Sequence, residues 1–237
     1  MIWFLHGFLG KGSDWSVLSE ELRTAGVETI TPDLFAQPLA TQSMSQWAGT
    51  FVQSVRRTGD DDHALVGYSM GGRLVLYALL AAPDLFSRAV IVSAGLGIED
   101  ASAREERAIS DEQWATRFEQ EQWRAVNHAW NSQEVFRDTL PSRRQESDFD
   151  RAALAHALRR WSPAAEEPLA GSLPSIRASV LWIVGERDDK YVQEGRRAVR
   201  LIPRAELMTM TGAGHRVMLD QPERFNSTVK KFLLSEQ

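Results

Sequence analysis

Residues 63–72 read HALVGYSMGG: an apolar run, then a serine set among glycines, with the helical pattern RLVLYALL following from Arg73. Gly67, Tyr68, Ser69, Met70 and Gly71 fit GxSxG at the place where a strand ends and a helix begins, the context this pattern requires. Ser69 is then either a small polar residue in a glycine-rich turn or a nucleophile held out at the top of a sheet. In the second case the turn is so sharp that the serine takes a strained backbone, and larger residues in place of the glycines collide with neighbouring elements.

The flanking sequence sets the fold class. Short apolar runs rich in β-branched residues recur at IWFLHG, VETITPD, HALVGYS, RAVIVSAG, SVLWIVGE and ELMTMTG. Most are followed by a helical pattern, and that alternation predicts parallel βαβ units. Helical spacing runs over Asp14 to Thr24, Gln42 to Thr58, Gly71 to Ala81, Gln193 to Leu201 and Pro222 to Leu234. The expected architecture is an α/β fold with a mostly parallel sheet of about six strands, covered by helices on both sides. The alternation breaks between Gly97 and Ile176, where Trp114, Trp123, Trp130 and Trp161 fall among many Arg, Glu and Gln residues. That stretch reads either as ordinary amphipathic helices or as a helical cap inserted after the fourth strand. The expected division is a core of residues 1–96 and 177–237 and a cap of residues 97–176.

Composition narrows the function classes. The 237 residues are 43% hydrophobic and 25% charged, as in a folded globular protein. A net charge of −5 speaks against nucleic acid as a partner, while leaving room for a small anionic molecule held by a local cluster of cations. Without cysteine, thiolate metal sites and cysteine nucleophiles are excluded. The opening MIWFL has no basic flank and is cut short by His6 and Gly7, so it does not read as a signal peptide, and no stretch reads as a membrane span. The expectation is a cytoplasmic protein, monomer or small homo-oligomer, free of the membrane.

A serine hydroxyl near neutral pH needs a base, and the base needs an orienting acid. After SVLWIVGE stand Asp188 and Asp189 in GERDD, and after the last strand stands His215 in GAGH. Asp188 is preferred over Asp189 for its distance past Gly185. Of the other histidines, His63 is expected to be solvated, His128 and His156 fall in the helical insert, and His6 ends the first strand as a structural hydrogen-bonding residue. HGFLG, from His6 to Gly10, supplies oxyanion donors: the backbone amides of Phe8 and Met70 can aim at one point. No metal or organic cofactor is implied. The glycine-rich stretches lack the GK[ST] of a phosphate loop, and GDDDH, residues 59–63, reads as a solvated turn.

HGFLG, GYSMGG, GERDD and GAGH, in that order across nearly the whole chain, resemble the α/β-hydrolase superfamily. GYSMGGR, EERAISDEQWATRF and HAWNSQEVF resemble one branch of it, the 2-succinyl-6-hydroxy-2,4-cyclohexadiene-1-carboxylate synthases of menaquinone biosynthesis. The resemblance implies a lyase in which the triad of Ser69, Asp188 and His215 removes a proton from 2-succinyl-5-enolpyruvyl-6-hydroxy-3-cyclohexene-1-carboxylate and pyruvate leaves. It implies arginines for an anionic substrate, Arg73 and Arg107, and the aromatic pocket residues Tyr68 and Trp130. It leaves a third arginine open among Arg143, Arg144 and Arg151. It also puts Met218 where the family often has a second histidine, and it makes the first two strands of the usual fold missing. The alternatives are a serine carboxylesterase of small esters and a binding protein without turnover.

Overall fold

The computed structural model describes residues 1–35, 42–60 and 62–235; Asp61 of the acidic run lies outside them. In chain order the elements are β1 (Ile2–Leu5), α1 (Ser16–Thr24), β2 (Thr29–Ile30), α2 (Met44–Arg56), β3 (His63–Tyr68), α3 (Met70–Ala81) and β4 (Phe86–Val92). Then follow α4 (Ala101–Gln120), α5 (Trp123–Asn131), α6 (Arg151–Arg160), β5 (Ser179–Gly185), α7 (Asp189–Leu201), β6 (Ala205–Met210), α8 (Val217–Asp220) and α9 (Pro222–Leu234). The six strands form one all-parallel sheet in the order β2-β1-β3-β4-β5-β6.

Strand alternation divides the core. Phe4, Val66, Val90 and Ile183 face one side, where they meet Leu18 and Leu22 of α1 and Phe225 and Val229 of α9. Leu5, Leu65, Ile91 and Trp182 face the other, where Trp47 of α2, Leu74 of α3 and Ala198 of α7 cover them. Both faces are therefore apolar, as a sheet with helices on each side requires. All six expected strands are present. β2 is only two residues long, because it is an edge strand that runs into Pro32, which has no N–H to give to a ladder. α7 starts a turn earlier than its apolar pattern, since Asp189 and Lys190 form an exposed first turn.

Between β4 and β5 lie α4, α5 and α6 and short 3₁₀ turns, with no strand. The tryptophans here pack both against the core helices and against the loop after β1. Trp161 is fully buried, meets Trp47 at 6.5 Å and donates its indole N–H to the Gln42 carbonyl at 2.9 Å. Trp130 and Trp114 pack edge to face at 5.0 Å, and Trp130 lies 4.6 Å from the Phe8 ring of the β1 loop. The insert is also tied to the core by Lys11 with Asp148 at 2.7 Å and Arg144 with Asp14 at 2.6 Å.

His63 departs from expectation. It is fully buried at the start of β3, at an angle to the Phe86 ring 6.4 Å away, and burial lowers its pKa. Asp60 and Asp62 before it are exposed, but His63 already pairs with Phe86 of β4, and that ring packs over the imidazole.

Candidate active site

In a parallel sheet the carboxyl ends of the strands share one edge. Ligands bind there, where the strand order reverses. That point lies between β1 and β3, because the chain passes from β1 to β2 on one side and later to β3 on the other. Phe8 follows β1 and Ser69 follows β3.

Ser69 has φ +51° and ψ −109° and immediately precedes α3, a conformation L-residues avoid. Its N–H donates to the Val92 carbonyl of β4 at 2.8 Å, which holds the strained turn against the sheet. The neighbouring glycines are required by space: a Cβ on Gly71 would run into the Leu5 carbonyl, and one on Gly67 into the Gly71 carbonyl.

His215 and Asp188 meet this serine from the loops after β6 and β5. The Ser69 hydroxyl lies 3.2 Å from His215 Nε2, and His215 Nδ1 lies 2.6 Å from Asp188 Oδ2. With Nδ1–H donating to the carboxylate, Nε2 is left as the acceptor for the serine proton. Asp188 and His215 are both buried, whereas Asp189 is exposed. His128 and His156 are exposed on the insert. His6 accepts from the Leu34 N–H at Nε2 (2.9 Å) and donates from Nδ1 to the Gly7 carbonyl (2.8 Å), so it shapes the β1 loop. The Met70 N–H opens α3 and is one of the donors a helix start leaves free, and Met70 and Phe8 both line the larger cavity.

Two cavities open on Ser69. The larger, about 400 Å³, is lined by Arg73, Arg107, Asp111, Trp114 and Tyr191. Arg73, on the first turn of α3, is buried and donates to the Trp161 carbonyl. Burial, reinforced by the nearby Arg107 cation, pulls its pKa down to about 10, so it stays charged at neutral pH. Arg107 Nε donates to buried Asp111 at 2.7 Å. The smaller cavity, about 130 Å³, is lined by Tyr68, Arg144, Arg216, Met218 and Trp15. Phe8, Trp130 and Phe136 border both. Burial raises the Tyr68 and Tyr191 phenols, which stay protonated.

All nine expected site residues border one or both cavities or the triad. Of the three further arginines, Arg144 lines the small cavity and Arg143 is exposed. Arg151 instead clamps the insert, donating to the Phe118 carbonyl at 2.5 Å and to the Glu121 carbonyl. Two cavity residues carry no sequence signal. Tyr191 sits one turn into α7 with its ring 4.5 Å from that of His215. Arg216 follows His215 directly, and only its proximity to the histidine could have drawn notice.

Comparison with known proteins agrees with this fold. Residues 4–228 match the model of the alpha/beta hydrolase family. A 2-succinyl-6-hydroxy-2,4-cyclohexadiene-1-carboxylate synthase from Yersinia pseudotuberculosis serotype O:3 (strain YPIII) is 30% identical over 98% of this chain and 86% of its own length. The structure of MenH from S. aureus superposes with a TM-score of 0.87 at 22% identity, over 98% of this chain and 92% of that one. An esterase from Exiguobacterium antarcticum superposes with a TM-score of 0.78 at 18% identity, over 99% and 91%.

Proposed function

The chain belongs to the alpha/beta hydrolase family, and on that premise we propose that it is a carbon–oxygen lyase of menaquinone biosynthesis. The reaction is elimination of pyruvate from 2-succinyl-5-enolpyruvyl-6-hydroxy-3-cyclohexene-1-carboxylate to give 2-succinyl-6-hydroxy-2,4-cyclohexadiene-1-carboxylate. Relatedness to synthases of that product supports the reading. The observation that carries it is Arg73, a buried cation in the larger cavity beside Ser69 with no carboxylate within 4.0 Å among the described residues. A buried charge of this kind calls for an anionic partner, and a neutral ester supplies none.

In the proposed mechanism the Ser69 hydroxyl passes its proton to His215 Nε2 while its oxygen removes the proton at ring carbon 2, next to the succinyl carbonyl. That C–H electron pair forms the 2,3 double bond. The 3,4 pair moves to the 4,5 position, and the bond from carbon 5 to the enolpyruvyl oxygen breaks. The enolpyruvate that leaves takes up a proton and becomes pyruvate. Asp188 stabilises the imidazolium, and the N–H groups of Phe8 and Met70 receive the charge that develops on the succinyl carbonyl oxygen. Serine serves here as a base and is never acylated. Incubation with the enolpyruvyl substrate should release one pyruvate per substrate, read by a coupled dehydrogenase; no release above background from folded protein overturns the assignment.

A carboxylesterase is the second reading, supported by the hydrogen-bonded Ser69, His215 and Asp188. It requires a burst with p-nitrophenyl esters and covalent labelling of Ser69 by an organophosphonate.

A further inference from the structure

The two cavities at Ser69 share a charge pattern. In the larger, Arg73 is buried with no carboxylate within 4.0 Å among the described residues, and its neighbour Arg107 is paired with Asp111. In the smaller, Arg216 is buried with no carboxylate within 4.0 Å among the described residues, and its neighbour Arg144 is paired with Asp14. The Arg216 guanidinium is fixed in place. It lies 3.9 Å over the Phe136 ring, donates Nη1–H to the Leu140 carbonyl at 3.0 Å and Nη2–H to Asn131 Oδ1 at 2.8 Å. The Tyr68 hydroxyl is a third hydrogen-bond partner, so two of the five N–H donors of Arg216 remain. Arg144 Nε is buried and has no hydrogen-bond partner among the described residues. These neutral acceptors hold the Arg216 side chain without cancelling its charge, the Asp220 carboxylate acts on it only from beyond 4.0 Å, and buried charges are ordinarily paired. Asp14, Asn131 and Ser142 also line the cavity, and Leu9, Trp15, Met218 and Leu219 supply an apolar wall that suits a short carbon chain.

We propose that the small cavity is a second carboxylate subsite, in which Arg216, with Arg144 and Tyr68 beside it, holds a short carboxylate arm of the substrate while Arg73 holds another carboxylate in the larger cavity. This rests on the reading of Ser69 as the reacting group. On that reading the arm is either the four-carbon succinyl chain or the three-carbon enolpyruvyl group, since both end in a carboxylate and both attach next to the reacting bonds. Holding two carboxylates from separate cavities fixes the ring over Ser69 and rejects substrates with a single charged end.

The test is calorimetric titration of the Ser69→Ala protein with succinate and with pyruvate, so that binding is read without turnover. Ser69→Ala should bind at least one of the two. Adding Arg216→Gln should weaken that binding tenfold or more, and adding Arg144→Gln should weaken it severalfold, with folding checked by thermal melting. The probe whose affinity drops identifies the arm. If Arg216→Gln does not fold, Arg144→Gln alone decides. The proposal is overturned if neither carboxylate binds, or if the folded arginine variants bind as tightly as the Ser69→Ala parent. A protein that binds carboxylates through Arg216 yet releases no pyruvate keeps the subsite and loses the lyase.

Discussion

At Ser69 three separate elements meet within hydrogen-bond reach: the turn after β3, the loop after β5 and the loop after β6. The 3.2 Å and 2.6 Å contacts make roles assignable to single atoms, and single-atom changes test them. Ser69→Ala and His215→Ala should each lower kcat by several orders of magnitude with little change in melting temperature. Asp188→Asn should cost about 10²- to 10⁴-fold, because an amide cannot hold the Nδ1–H tautomer. Asp189→Asn, one residue away and exposed, should stay within about twofold, as surface changes usually do. Steady-state kinetics on the four variants checks this, and equal losses at 188 and 189 would undo the assignment of the acid. In sequence only the distance past Gly185 favours Asp188 over its neighbour. What separates them is that Asp188 lies just before α7 and faces inward, whereas Asp189 begins the helix facing water.

At the scale of elements, the β3–α3 junction depends on the absence of side chains. Gly71→Ala should push α3 off β1, costing about 1–3 kcal/mol as overpacking does, and should lower activity through displacement of Ser69. Urea unfolding of the variant reads the first effect. β3 also carries a pH signature at its start. Burial lowers the pKa of His63 below its unfolded value of about 6.5, so the folded state excludes a proton that the unfolded chain accepts. The stability contribution of neutral His63 is complete above about pH 6.5 and falls as the pH drops from there toward the folded pKa. Melting curves of wild type and His63→Asn should therefore diverge at neutral pH and converge on acidification through that window. In the insert, Arg151→Met removes charge-assisted bonds to the carbonyls of Phe118 and Glu121 that join α6 to the end of α4. It should destabilise the protein by about 1.5–3 kcal/mol.

Across the whole molecule, the insert and the sheet edge enclose one reaction centre with arginines on two sides. Arg73→Ala should reduce lyase kcat/KM far more than hydrolysis of a neutral p-nitrophenyl ester. The carboxylate contact is lost in one case and never made in the other. Side-by-side assays decide it, and equal losses would remove carboxylate recognition from the role of Arg73. The core side of this enclosure was legible early, since strand runs, turn glycines and the order of serine, aspartate and histidine are local patterns. The insert side was less so. Arg143, Arg144 and Arg151 are equivalent as sequence, and only packing directs one to solvent, one to the small cavity and one to backbone carbonyls.

Sequence by itself determined the parallel α/β sheet, the strained turn at Ser69 and the pairing of Asp188 with His215. Each follows from short-range rules: continuous apolar runs rich in β-branched residues, glycines where no Cβ fits, and polar residues at strand ends that a parallel sheet brings to one edge. Only the tertiary structure decided that His63 is buried, that Trp130 borders both cavities and that Arg216 lies buried with no carboxylate within 4.0 Å among the described residues. Burial and charge compensation depend on residues from distant parts of the chain, Phe86 for His63, Phe8 for Trp130, and Asn131 and Leu140 for Arg216, and no local pattern encodes those meetings.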